Sequence, residues 1–219
     1  MNIKAVIFDL DGTLIDSTEE IMFICNEVLN SYSFPIHNKK FYKNNIGQGI
    51  EHLLKKCIPN DNKIDFKLML KDVKETYSKH LNTKTIVFDG VVELLDKLTK
   101  NQTNIGIITN KVHNLAIRSV DLFFGKYDIN VIGSEHLFKR KPVPDSALHL
   151  ASVFRCKPSE ILFVGDSNID INTAKEAGMI SAGVLWGNGT QSELDIAGAD
   201  IIFEKVESLA IFIEKNLHF

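Results

Sequence analysis

The stretch AVIFDLDGTLIDS, residues 5–17, decides how the rest of the chain is read. Its apolar run, rich in Val and Ile, has the texture of a strand buried on both faces. Yet the run ends in two carboxylates, Asp9 and Asp11, with one leucine between them. Acids this close repel each other, and gathering them in a low-dielectric site requires cations. If the backbone stays extended, residues two apart face the same side. One carboxylate can then attack a substrate while the other moves a proton.

Working outward, the same texture recurs. KAVIFDL (4–10), NIGIITN (104–110), INVIGS (129–134), ILFVGD (161–166), SAGVLW (181–186) and DIIFE (200–204) read as buried parallel strands. Between them lie helical patterns such as VVELLDKLTK, VHNLAIRSVDLFF, PDSALHLASVF, IDINTAKEAG and VESLAIFIEKNL. This alternation predicts an α/β fold with a doubly wound, mostly parallel, Rossmann-like sheet. Residues 17–84 break the rhythm. Ser17-Thr18-Glu19-Glu20 reads as a capping box, followed by an apolar stripe of Ile21, Ile24, Cys25, Val28 and Leu29. Further helical segments follow, separated by SFP (33–35) and PNDN (59–62), with no convincing strand. The expected organisation is an α/β core of residues 1–16 and 85–219, with a helical cap of residues 17–84 above the carboxyl ends of the strands.

Composition narrows the classes. A chain of 219 residues, 44% apolar and 24% charged, can build one large core or a core with a smaller insert. A formal charge of -3 gives no basic footprint, so nucleic acid is not an expected partner. No apolar run reaches the length of a membrane span, and the opening residues read as a core strand rather than a secretion signal. The three cysteines, Cys25, Cys57 and Cys156, form no CxxC motif and read as reduced structural thiols in a cytoplasmic protein.

Ligands of open α/β sheets bind beyond the carboxyl ends of the strands. Those ends carry Asp9 and Asp11 in the first strand, then Thr109, Asn110 and Lys111, and then Asp166 and Asp170 in GDSNID; Lys141 sits in the proline-stiffened FKRKPVPD loop. Four such acids call for a hard divalent ion, and few carboxylates plus waters and a substrate phosphate suit Mg²⁺. Lys141 adds a second positive charge, and Thr109 adds a donor for anionic oxygens. The set has the shape of phosphoryl transfer through an aspartyl-phosphate. Each piece also has a bland reading. DG at 11–12 is a common turn, Asp166 a helix cap, Lys141 a solvated lysine and Thr109 a strand-end hydroxyl. Their joint occurrence at successive strand ends outweighs those readings. No GxxxxGK[ST] phosphate loop is present, GNGT (187–190) reads as a turn, the histidines lack metal-ligand spacing, and Trp186 reads as core.

These motifs, in this order, resemble the haloacid dehalogenase-like hydrolase superfamily, in its phosphoglycolate phosphatase-like branch. FDLDGTLIDS is similar to the first motif, IITNK to the second, KRKPVPD to the third and GDSNIDINTAKEAG to the fourth. IGQGIEHLL (46–54) is similar to the cap segment of phosphoglycolate phosphatases. The resemblance implies that Asp9 is the nucleophile and a metal ligand. Asp11 would be the general acid/base, with its backbone carbonyl on the metal. Thr109 and Asn110 would hold the phosphate, and Lys141 would neutralise nucleophile and phosphate. Asp166 would bind Mg²⁺ with Asp170 in support. Dehalogenase members lack the second aspartate, so Asp11 favours a phosphatase; mutases carry both. Phe88-Asp89-Gly90 departs from the Pro-Gly of many relatives, which bears on the cap hinge.

The expected function is Mg²⁺-dependent hydrolysis of a small phosphorylated metabolite, with 2-phosphoglycolate as the leading substrate. The rivals are a sugar-phosphate mutase, a pyrophosphatase or a nucleotidase on the same scaffold, and a non-catalytic binding protein that keeps the fold. Within the cap, Gly47 and Gly49 permit close backbone approach and Lys43 is the expected partner of a substrate carboxylate, against the bland reading of a solvated helix charge.

Overall fold

The opening apolar run becomes the middle of the sheet. In the computed structural model, which describes residues 1–59 and 64–217, β1 (Ala5–Phe8) has all four residues buried. β2 (Ile15–Asp16) and β3 (Ile86–Val87) form a separate antiparallel ribbon, in register Ile15↔Val87. The remaining strands are β4 (Asn104–Val112), β5 (Ile129–Ser134), β6 (Ile161–Gly165), β7 (Ile180–Val184) and β8 (Ile201–Phe203). With β1 they make a six-stranded sheet in the order β5-β4-β1-β6-β7-β8. Every pairing in it is parallel. The doubly wound parallel sheet expected from the alternation is therefore present.

Successive β1 side chains go to opposite faces, as a strand requires. Val6 and Phe8 join one apolar cluster, which gathers the inner faces of α5 (Val91–Lys100), α6 (His113–Phe124) and α10 (Val206–Asn216). Ala5 and Ile7 join a second cluster with α7 (Asp145–Val153) and α8 (Asn168–Glu176). Both faces are covered, which is why these strands read as continuous apolar runs rather than alternating ones.

Between β2 and β3 the chain forms α1 (Thr18–Ser31), α2 (Lys39–Lys43), α3 (Ile50–Cys57) and α4 (Phe66–His80). Their apolar stripes make a third cluster around Ile24, Tyr42, Leu54 and Val73, and Leu115 of α6 completes it. Tyr42 is fully buried, and its hydroxyl donates to Asn26 Oδ1 at 2.7 Å, so burial of the large ring leaves no orphaned polar group. Cys25 and Cys57, distant in sequence, are both buried in this cluster and both are free thiols. No helix among the described residues is long and apolar enough to cross a membrane.

Two local readings are corrected. Ser17 occupies the N-cap position of α1, but no side-chain capping bond forms there. Its hydroxyl donates instead to Asp11 Oδ1 at 2.6 Å, and Glu20 Oε2 accepts from the Lys84 amide at 3.2 Å. The residues of a local helix start are thus recruited by the first-strand loop and by the return of the chain. The β2–β3 ribbon was not expected. Two residues per strand give no periodicity to read, and their pairing spans some seventy positions. The expected break at PNDN (59–62) lies largely outside the described residues.

Candidate active site

Asp9 follows β1 directly, and its amide still donates to Val164 O at 2.8 Å. That bond carries the sheet's register into the site and fixes the side chain beyond the strand end. Asp9 Oδ1 accepts from the Leu10 amide at 2.7 Å and lies 2.8 Å from Lys141 Nζ. No described residue donates to Asp9 Oδ2. Asp170, at the first turn of α8, uses both of its oxygens. Lys141 Nζ donates to Oδ1 at 2.6 Å, while the Ser167 amide and hydroxyl donate to Oδ2 at 3.1 and 2.5 Å. Asp166, after β6, accepts the Asn188 amide on Oδ2 at 2.7 Å. It does not cap α8; Ser167 takes that position, with Asp170 as its box partner.

Carboxylate oxygens of Asp9, Asp166 and Asp170 lie within 4.8 Å of one another, and all three residues are buried. Burial pushes the Asp9 carboxyl up to about 7, against the pull of Lys141. Burial, with Asp170 and Asp9 adding to it, pushes Asp166 up to about 8. Burial opposes the charge on Lys141 too, but Asp170 and Asp9 outweigh it and raise its pKa. One lysine does not balance three buried acids, and these are hard oxygen donors. The set therefore fits a divalent cation such as Mg²⁺, with Asp9 and Asp166 each holding an oxygen to which no described residue donates.

Glycines permit this crowding. A Cβ on Gly12, whose φ is +93°, would collide with the Asp166 carboxylate, and one on Gly187 would collide with the Gly12 carbonyl and Asp166. A Cβ on Gly189 would collide with the Asp166 backbone. The GNGT segment, read from the sequence as a plain turn, is thus a wall of the acidic cluster. Two glycines just past a strand's carboxyl end were the available signal. Trp186, read as core, packs partly against the first cluster and also donates from Nε1 to Thr13 O at 2.9 Å, tying down the loop that carries Asp11.

Asp11 stands apart from the acidic cluster. Oδ1 accepts from Ser17 Oγ at 2.6 Å and from Lys111 Nζ at 3.0 Å. Thr109 Oγ1 accepts the Lys111 amide at 3.1 Å, which leaves the hydroxyl proton for another acceptor. Asn110 is a strut. Its Oδ1 accepts the Lys141 amide at 2.9 Å, and its Nδ2 donates to Gly47 O at 2.9 Å. A Cβ on Gly49 would press on Asn110 O and Arg140 at 3.2 Å. The expected residues Asp9, Asp11, Thr109, Asn110, Gly47 and Gly49 all line one small cavity of about 40 Å³, room for about three waters. Lys43 does not reach it. That side chain is exposed and lines an adjoining polar pocket with Asp11, His52, Lys56 and Asp166.

Two polar cavity residues had no role assigned from the sequence, Lys111 and Tyr77. Lys111 Nζ donates to the Tyr77 hydroxyl at 2.6 Å, linking α4 to the Asp11 loop. The IITNK run put Lys111 at the strand end, but nothing in the sequence tied it to a tyrosine 34 positions earlier.

The model of the haloacid dehalogenase-like hydrolase family matches residues 6–184. A phosphoglycolate phosphatase of Chromobacterium violaceum is 30% identical over 95% of each chain. One from Shigella boydii is 28% identical over 95% of this chain and 91% of its own. Among solved structures, a candidate phosphoglycolate phosphatase from Lactobacillus delbrueckii subsp. bulgaricus superposes with a TM-score of 0.89 at 25% identity, covering 97% of this chain and 99% of the other. The chain belongs to the haloacid dehalogenase-like hydrolase family, and it is an enzyme of the phosphoric monoester hydrolase type.

Proposed function

We propose that this chain hydrolyses a small phosphate monoester, 2-phosphoglycolate foremost, with Mg²⁺ and through an aspartyl-phosphate on Asp9. The observation that carries the reading is the pairing of Asp9 Oδ1 with Lys141 at 2.8 Å, which leaves Oδ2 open beside the Thr109 hydroxyl end of the cavity. In the first half-reaction Asp9 Oδ2 attacks phosphorus in line and the ester P–O bond breaks. Asp11 gives the leaving oxygen its proton. In the second half-reaction water attacks the same phosphorus, Asp11 takes the proton back, and the acyl-phosphate bond breaks to release Asp9 and inorganic phosphate. Thr109 donates to a phosphoryl oxygen, and Lys141 stabilises the charge shared between nucleophile and phosphate. Mg²⁺, when bound to Asp9, Asp166 and the Asp11 carbonyl with Asp170 alongside, supplies charge neutralisation at the phosphoryl oxygens.

Residues 17–84 act in this reading as a cap, with the β2–β3 ribbon joining its two connections to the sheet. The names of the relatives support phosphoglycolate as the substrate.

A panel of phosphate esters with Mg²⁺ tests the substrate, and Asp11→Asn tests the acid. The variant should lose about 10²- to 10⁴-fold on alkyl esters, whose alcohols need a proton to leave. It should lose far less on nitrophenyl phosphate in the first half-reaction, read as the burst of nitrophenolate. Equal losses on both would remove Asp11 from the acid role. Preference for nucleotides or pyrophosphate would overturn the substrate and leave the Asp9 chemistry standing.

A further inference from the structure

The cavity is asymmetric. Asp9 and Thr109 line its phosphate end, and its walls are apolar, from Ile21, Ile46, Ile50 and Leu53. Among the described residues that line it, Lys111 is the one cation, since Lys141 is enclosed by Asp9 and Asp170 outside the lining. An ammonium has three donors. Lys111 directs one to Asp11 Oδ1 at 3.0 Å and one to the Tyr77 hydroxyl at 2.6 Å. Its third donor has no partner among the described residues. Tyr77 accepts from Lys111, so its own O–H is likewise uncommitted. Two unused donors, one of them charged, therefore meet at an apolar-walled pocket next to the acid that serves the leaving oxygen.

We propose that Lys111 and Tyr77 form the recognition pair for a carboxylate carried by the leaving group, a proposal that rests on the phosphoglycolate reading. The argument is one of reach. In 2-phosphoglycolate a single methylene separates the ester oxygen from the carboxylate. The cation that meets the carboxylate must then lie within one side-chain contact of the group that protonates the ester oxygen. Lys111 does, through its 3.0 Å contact with Asp11; Lys43 is exposed, and no hydrogen bond or ion pair among the described residues joins it to Asp11. Tyr77 belongs to α4, so the pair also makes recognition depend on the cap helix facing the sheet. An uncharged leaving group would leave both donors unpaired among apolar walls, which disfavours it.

The test is calorimetric binding to the full-length, Mg²⁺-supplemented protein, with two non-hydrolysable probes. 3-Phosphonopropionate carries the carboxylate, and n-propylphosphonate replaces it with a methyl group. Both share the phosphonate end, so any effect of a variant on Asp11 or the metal cancels in the ratio. Wild type should prefer the carboxylate by roughly tenfold or more, the scale of hydrogen bonds to a charged group. Lys111→Met should bring the ratio to about one, and Tyr77→Phe should lower it by about threefold. Tyr77→Phe keeps the ring in its apolar cluster and decides the matter if Lys111→Met does not fold. Lys43→Ala should leave the ratio as in wild type. A preference that survives in both Lys111→Met and Tyr77→Phe, or that vanishes in Lys43→Ala, overturns the pair while the phosphoglycolate reading stands. A wild type that does not prefer the carboxylate overturns the pair and the substrate together.

Discussion

Asp9→Asn should reduce turnover on every ester by about 10⁴-fold or more, the scale seen when a covalent nucleophile is removed. The amide has nearly the volume of the acid, but it cannot form an acyl-phosphate and is a poor metal ligand. The fold should survive the change. Asp9 is one of three carboxylates crowded within 4.8 Å, and Lys141 keeps its 2.6 Å contact with Asp170 when Asp9 loses its charge. Circular dichroism and the melting temperature should therefore stay near wild type. A variant that retains a tenth of the activity, on any substrate, would remove Asp9 from the chemistry.

Metal removal should have an effect of similar size, and its pH dependence follows from the site. Chelation should take turnover to background, and Mg²⁺ should restore it; Ca²⁺, which prefers more ligands, should bind with little turnover. Without a metal, Asp9 and Asp166 are pushed up to about 7 and about 8 by burial, far above an ordinary aspartate. Between the ordinary value and these raised ones, the native state binds more protons than the unfolded chain. Stability of the stripped protein is then fully present at acid pH and is lost as pH rises through the two raised values. Mg²⁺ replaces those protons, so the increase in melting temperature that it produces should grow from about pH 5 to about pH 9. An increase that shrinks with rising pH would contradict a metal held by these carboxylates.

What the sequence made legible follows its strong local signals. Six buried apolar runs became the six strands, because a sheet covered on both faces leaves no polar alternation to confuse the reading. The strand-end acids were equally plain, since an acid after such a run has little structural reason to be there. Contacts made across the chain were hidden. Ser17 looked like a helix cap until Asp11, six residues back, claimed its hydroxyl. Gly187 and Gly189 read as a turn, but Asp166 lies against both, by its side chain at Gly187 and by its backbone at Gly189. Tyr77 carried no motif of its own, and only the bond to Lys111 gives it a part in the site. Lys43 was chosen for its charge and neighbourhood; the fold leaves it exposed, and the cation that lines the small cavity is Lys111.

The most direct measurement concerns the acyl-phosphate itself. Wild-type protein, quenched in acid during turnover of an excess of ester, is treated with borohydride, which reduces an acyl-phosphate to an alcohol and releases phosphate. The residue bearing the intermediate becomes homoserine, and peptide mass spectrometry locates it. The expected result is homoserine at position 9, absent without substrate and absent in Asp9→Asn. Phosphate release with Asp9 unreduced, or reduction at Asp11, Asp166 or Asp170 instead, would contradict the account.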